Sequence, residues 1–302
     1  GVILLDGYSF RPQTSGGHAV EIGKTGGFTT TISTGDPSGD AITISGIVET
    51  GPESNTNANG IILGLASTGT INVNATGGGN ISLTGVASAS TTDSIEVNRA
   101  NVYATSGNIT INGGTQRVAF GDNGVNTLGG AAAAADHTGN INICGGSVAF
   151  VTQLTTIRNT GSTIIEPCST ATSFTSAQTW GSSAVSLNTG SFRFGKTGNN
   201  VAMTVAGAIT TSAGSAIIHG SDLTINSGIS VSGASSAILL RSLGNITTAA
   251  SLTFSTAGGD VTFWADADAN GAGRIALQVH ERCGRSAVTI EIVTMEYGNN
   301  MM

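Results

Sequence analysis

One short phrase recurs along the chain: GNIS from Gly79 to Ser82, GNIT from Gly107 to Thr110, GNIN from Gly139 to Asn142, and GNIT again from Gly244 to Thr247. Each copy opens a run in which apolar and polar residues alternate, as in Ile109, Thr110, Ile111 and Asn112, and alternation marks a strand with one buried face. So short a strand cannot bury that face alone. Stacking one copy on the next does so, and the repeat therefore predicts a β-solenoid with an elongated, surface-presenting function. The first three copies lie 28 and 32 positions apart at Asn80, Asn108 and Asn140, too far for one rung of about 20 to 25 residues and too near for two. Unequal rungs are expected, with loops emerging between the GNI strands as the place for binding. The Asn of each copy suits a turn, because it tolerates left-handed backbone and its amide can stack in a ladder from rung to rung.

Composition fits this reading. The 302 residues include 45 Gly and 4 Pro, with 10% charged and 5% aromatic residues, so the polar surface is built from Ser, Thr, Asn and backbone. The apolar 39% is periodic Ala, Val and Ile, which suits a thin core and argues against disorder. A net charge of −7 with 11 Lys and Arg provides no basic patch for nucleic acid. No apolar run approaches the ~20 residues of a membrane span, and Val2 to Leu5 lacks the basic flank of a signal peptide. A chain opening on Gly1 without Met reads as a processed product or an excised fragment.

Strand signals run from Ala19–Ile22 to Asp260–Trp264, and no window keeps a helical period. A larger duplication accompanies them: Ile22 to Gly26 (IGKTG) returns as Phe194 to Gly198 (FGKTG), and Ala41 to Ser45 parallels Ala208 to Ser212. Residues 113–138, with the alanine run Ala131 to Ala135, and 155–179 alternate poorly and are expected to leave the main stack. The predicted fold is all-β: a single right-handed parallel β-helix with loop insertions, about a dozen rungs some 4.8 Å apart in a rod of roughly 60 Å. Residues 1–278 carry the repeats. Residues 279–302 form an atypical, charge-dense tail, read either as a cap over open strand edges or as a fragment end.

Few residues suggest chemistry. Asp266, Asp268 and Asn270, followed by Gly271, copy the opening of a calcium loop, but the twelfth position is Leu277 rather than a closing Glu. They are a weak Ca²⁺ candidate beside the plainer reading of a polar turn, and no other cofactor is expected. Cys144 and Cys168 are 24 positions apart, close to one rung; they either bridge neighbouring rungs in a disulfide or remain two buried thiols. His219, Ser221 and Asp222 have the residue types of a hydrolase triad, but near neighbours on one strand face opposite ways. His18, His137 and His280 are isolated and read as surface or turn residues. Asp222, Asp260, Asp266, Asp268 and Arg274, with Trp180, Phe263 and Trp264 as sugar-binding aromatics, are what a polysaccharide lyase or hydrolase would have to use. Thr29, Thr31, Thr68 and Thr70 give only scattered Thr-x-Thr pairs, a weak case for ice binding.

The runs FGKTGNNVAMTVAGAITTSAGSAIIHGSDLTINSGISVSG from Phe194 and GNITTAASLTFSTAGGDVTFWADADANGAGRIAL from Gly244 resemble the β-helical repeats of filamentous-haemagglutinin-like exoproteins and large autotransporter adhesins of bacteria, with weaker echoes back to about Ala19. The resemblance implies a non-enzymatic secreted or cell-surface protein, exported through an outer-membrane translocator and making multivalent contact with a host or neighbouring-cell surface or polysaccharide. Such repeats usually avoid cysteine, and this chain has three. The alternatives are the polysaccharide-acting enzyme and a self-assembling extracellular filament, a homo-polymer.

Overall fold

A computed structural model describes residues 1–9, 18–23, 28–49, 58–64, 69–87, 92–168, 170–181, 184–271 and 273–277. The GNI strands fall into one parallel sheet of ten, in chain order Ile3–Ser9, Asp40–Val48, Asn80–Val86, Ile109–Asn112, Ile141–Cys144, Ser162–Glu166, Ser191–Phe194, Ala216–Gly220, Ile238–Ser242 and Val261–Trp264. Every third strand of the chain belongs to this long sheet, and the two between belong to flanking sheets, so each turn of a parallel β-helix contributes three strands. Ile42, Ile81, Ile109 and Ile141 stack in register along its inner face, each essentially buried. Each such side chain contributes about 1.5–3 kcal/mol on burial. Ten strands make nine steps, and at about 4.8 Å each the described stack is about 43 Å long rather than the expected 60 Å.

The rungs are unequal, as expected, but on a wider scale. Ile3 pairs with Ile42 and Ile42 with Ile81, 39 residues per turn, whereas Ile141 pairs with Thr163 and Ala216 with Ile238, 22 per turn. Spacings of 28 (Ile81 to Ile109) and 32 (Ile109 to Ile141) are each one rung. Residues 113–138 and 155–179 do not leave the stack: they supply Arg117–Phe120, Asn126–Gly129, Thr155–Arg158, Ser162–Glu166 and Gln178–Trp180 to it. Only the alanine run stands out, as an exposed bulge closed by a 3₁₀ turn at Ala134–Asp136 whose Asp136 carboxylate accepts from the Ala132 and Ala133 amides at 2.8 Å. Strand signals too short to alternate visibly were the reason for the misreading.

The corner before each GNI strand explains the motif. A Cβ on Gly107 would lie 2.1 Å from the Gly79 carbonyl oxygen, one on Gly139 2.2 Å from that of Gly107, and one on Gly161 2.4 Å from that of Gly139. No side chain fits where backbones stack this closely. The next residue then links rungs: Asn80, Asn108 and Asn140 accept through Oδ1 from the backbone N–H of Asn108, Asn140 and Ser162 at 2.8, 3.0 and 2.8 Å. The ladder runs from carboxamide to backbone, not amide to amide. The fourth copy uses the same device at another corner, where Asn245 receives the Arg274 N–H at 3.1 Å and donates its own N–H to Asp222 at 2.7 Å.

The larger duplication is not a structural repeat. Ile22 lies in a flanking sheet and Phe194 in the long one; Ala41 lies in the long sheet and Ile209 in a flanking one. What the two copies share is a local turn, with Gly23 and Gly195 both at φ 81°.

The flanking sheets change partway along. Next to the long sheet, the first five rungs use Val20–Ile22, Ile61–Leu63, Asp93–Val97, Arg117–Phe120 and Ser147–Phe150, here the second sheet. The third side, or third sheet, runs from Thr30–Thr34 to Val185–Asn188. A fourth sheet then begins at Gln178–Trp180 and continues through Met203–Val205, Leu223–Ile225, Ile246–Thr248 and Ile275–Ala276, with a fifth of Ile209–Thr211, Ile229–Ala234 and Phe254–Ala257. At this seam the backbone ladder breaks but the core does not. Phe120, Phe150 and Trp180 continue inward with ring centroids 5.3 and 5.4 Å apart, and Trp180 meets Phe192 at 4.6 Å. Buried Gln178 replaces a missing strand partner by accepting the Val148 N–H at 2.8 Å. Thr163, Asn159 and Thr189, all fully buried, hydrogen-bond one another at 2.9 Å across the second break.

Candidate binding surfaces

Cys144 and Cys168 form a disulfide with Cα atoms 4.7 Å apart. Cys144 ends a strand of the long sheet in register with Glu166, and Cys168 follows that residue by two, so the bridge ties neighbouring rungs where the chain departs for the seam. Asp266, Asp268 and Asn270 share one turn. Asp266 sits at φ 56° with its carboxylate accepting the Asn270 and Gly271 amides at 3.0 to 3.1 Å, and Asp268 accepts from the Asn270 carboxamide at 2.9 Å. The oxygens thereby close the turn on itself, and among the described residues no three His, Cys, Asp or Glu side chains converge as metal ligands.

Of the residues weighed for a polysaccharide enzyme, Asp222, Asp266 and Arg274 meet at one corner, where Asn245 donates its N–H to Asp222 and accepts that of Arg274, and the Asp266 N–H reaches the Gly244 carbonyl. Trp180 is fully buried at the seam and offers no face to a sugar, a correction to its expected role. Asp222 caps Asn245, and Phe263 packs edge-on against Phe254 at 5.2 Å. Trp264 alone of the three aromatics is exposed, at 45%. His137 also departs from expectation: it is fully buried, its Nδ1 2.5 Å from the Ala104 carbonyl, with burial holding its pKa down. It closes the 3₁₀ turn, its N–H donating to the Ala134 carbonyl, and its own carbonyl accepts the Thr160 N–H of the next rung. His18 Nδ1 accepts the Asn59 N–H at 3.1 Å, and His280 lies outside the described residues with the whole 279–302 tail.

The second sheet carries a charge cluster that the sequence did not flag. Ile62, Glu96 and Ala119 point away from the core yet are 1%, 9% and 1% exposed, so this outer face is shielded from solvent. Glu96 accepts from the Asn59 and Asn98 carboxamides at 2.8 and 2.6 Å, and Arg117 pairs with Asp93. Burial, then the nearby Asp93 and Asp122, push the Glu96 pKa up. A raised carboxyl is what a general acid needs, but both oxygens are held by amides and the side chain is shielded from solvent. A shallow depression begins at Arg117 and runs over Ser147, Ala149, Ser176 and Thr179.

The outer faces of the stack carry rows that arise only from register. On the fourth sheet Thr179, Thr204, Thr224 and Thr247 stand side by side on successive rungs, flanked by buried core positions. On the third, Thr31, Asn72, Asn101, Thr127, Thr156 and Ser186 form another, and Asn101 donates to Asn72 Oδ1 at 3.0 Å. Counting Thr-x-Thr pairs misses such rows because their period is the rung. The signal present was a Thr between two apolar residues in Thr204, Thr224 and, more loosely, Thr179.

The long sheet's outer face changes character along its length. Thr43, Ser82, Thr110 and Asn142 occupy one row in the early rungs; the same row later reads Ile164, Arg193, Ile217 and Leu239. Two residues further along the strands, His219, Arg241 and Trp264 are in register. Arg193 pairs with Glu166 at 2.6 Å, and the Arg241 guanidinium lies 4.9 Å from the Trp264 ring centroid. Burial, with Arg241 and Arg193 alongside, pushes His219 down to about 4. Among the described residues, no helix is long and apolar enough to cross a membrane. Comparison with known proteins returns no match to a family model, a curated protein or a solved structure.

Proposed function

We propose that this chain is a non-enzymatic β-helical segment of a secreted or cell-surface bacterial protein, acting by multivalent contact with a cell surface or polysaccharide. The observation that carries this reading is the in-register row Thr179, Thr204, Thr224 and Thr247. Identical groups at a fixed spacing of about 4.8 Å engage a repeating partner many times over, and each contact after the first is intramolecular. Export through an outer-membrane translocator belongs to the same reading, as does the resemblance to haemagglutinin-like repeats. Binding of the full chain to bacterial and host cell surfaces and to a panel of neutral polysaccharides tests it. The T204A/T224A double variant is expected to weaken binding much more than either single change; binding unaltered by the double variant removes the row from the function. Depolymerisation of pectin, alginate or chitin by the wild-type chain would favour the enzyme instead.

A further inference from the structure

We propose that the outer face of the long sheet from Arg193 to Trp264 binds an acidic, carboxylate-bearing polysaccharide through Arg193, His219, Arg241 and Trp264. The proposal rests on the multivalent-contact reading and gives one of its faces a ligand class. The chain carries −7 overall with only 11 Lys and Arg, so general electrostatics repel a polyanion and any attraction must be local. Arg193 and Arg241 supply it within three neighbouring rungs. Arg193 already holds a carboxylate, that of Glu166 at 2.6 Å. Arg241 pairs with no carboxylate among the described residues: it donates to the Ala267 carbonyl at 3.3 Å and stands over Trp264. The nearby Asp266 and Asp268 are turned into their own loop.

Two further observations point outward to a ligand. His219 is 8% exposed, and its Nδ1 is buried without a hydrogen-bond partner. Leaving a buried ring nitrogen unpaired is costly, and a ligand hydroxyl or carboxylate oxygen relieves that cost. Trp264 presents an exposed indole, an apolar surface for the C–H face of a sugar ring. An acidic peptide has no such face. The planar fork of the Arg241 guanidinium suits a carboxylate. A chain of uronate sugars lying along the helix axis meets a cation, an aromatic ring and a polar nitrogen on adjacent rungs.

The test is binding of the full-length chain to oligogalacturonate, dextran sulfate, poly-glutamate and neutral dextran, at low and raised salt. Oligogalacturonate is expected to bind, more weakly in raised salt. R241Q and W264A, both near the surface and checked for unchanged melting, are each expected to weaken it by roughly tenfold, the scale of one charge-assisted contact. Oligogalacturonate failing to bind, or binding unchanged in both variants, overturns the proposal, as does equal or tighter binding of dextran sulfate or poly-glutamate. Neutral dextran or cell-surface binding that persists in R241Q while oligogalacturonate fails to bind overturns this site and leaves the multivalent reading standing.

Discussion

The second and fourth sheets occupy corresponding sides of the two halves of the stack and are built on opposite terms. Ile61–Leu63 and Asp93–Val97 are buried at every position, whereas Gln178–Trp180, Leu223–Ile225 and Ile246–Thr248 alternate buried, exposed, buried. The early rungs run to 39 residues and the late ones to 22. In the early half Glu96 and Asp93 are buried on an outer face, with Arg117 paired to Asp93 at its exposed edge. The late rungs have just enough chain to close, so their outer residues remain at the surface in rows. The early half therefore holds buried charge on this side, and the late half presents an exposed row there.

The seam between the halves is where that comparison breaks most easily. Trp180→Ala removes the largest fully buried side chain and is expected to cost about 3–5 kcal/mol, with chemical denaturation resolving into two transitions as the halves uncouple; a single transition at an unchanged midpoint would refute the seam's coupling role. Replacing Cys144 and Cys168 by Ser opens a 24-residue loop and is expected to cost about 3 kcal/mol, read as the difference between that variant and the wild type under non-reducing conditions. Gly139→Ala places a Cβ against the Gly107 carbonyl and should cost about 1–3 kcal/mol. Gly35→Ala, into open space, should leave melting nearly unchanged.

One buried group in each half, Glu96 and His219, responds to pH with opposite sign. Glu96 is raised in the fold, so its contribution is complete below its ordinary value near 4.5 and is lost as pH rises through the raised one. His219 is depressed to about 4 by burial, Arg241 and Arg193, so its contribution is complete above 6.5 and is lost as pH falls toward 4. Hydrogen exchange between pH 4 and 7 should therefore show protection of the late rungs growing as pH rises, while in the early half it falls around Glu96 and grows around the buried His137, and E96Q should flatten only the fall. The smallest effect distinguishes nothing between the halves, by design: Asn108→Ala and Asn245→Ala should each cost about 1 kcal/mol, because each carboxamide accepts one N–H from the next rung. Unequal costs would mean the two corners are not the same device.

The repeat made the class of fold legible because Gly and Asn have a strict local use. At Gly107 and Gly139 a corner that stacks carbonyl on Cα admits Gly alone, and the Asn after each reaches one rung further, so the GNI phrase carries both needs. Gly23 and Gly195 show the limit of that legibility, since identical turns were placed in different sheets. Local sequence specifies the turn and carries no count of the residues since the last corner. His137 and Trp180 looked accessible for the same reason: nothing near them in sequence says which way the side chain faces once the rung closes, and both face inward.

By itself, the sequence determined the parallel stack, the alternation of inward Ile and Val with outward Ser, Thr and Asn, and the spacing that lets Cys144 reach Cys168. Tertiary structure alone decided which residues became neighbours across rungs: Thr179 beside Thr204 and Thr224, His219 beside Arg241 and Trp264, Glu96 beneath Asn59. The physical reason is that these partners are separated by a whole turn of variable length, and register is fixed only when the buried face of each strand settles on the one before it.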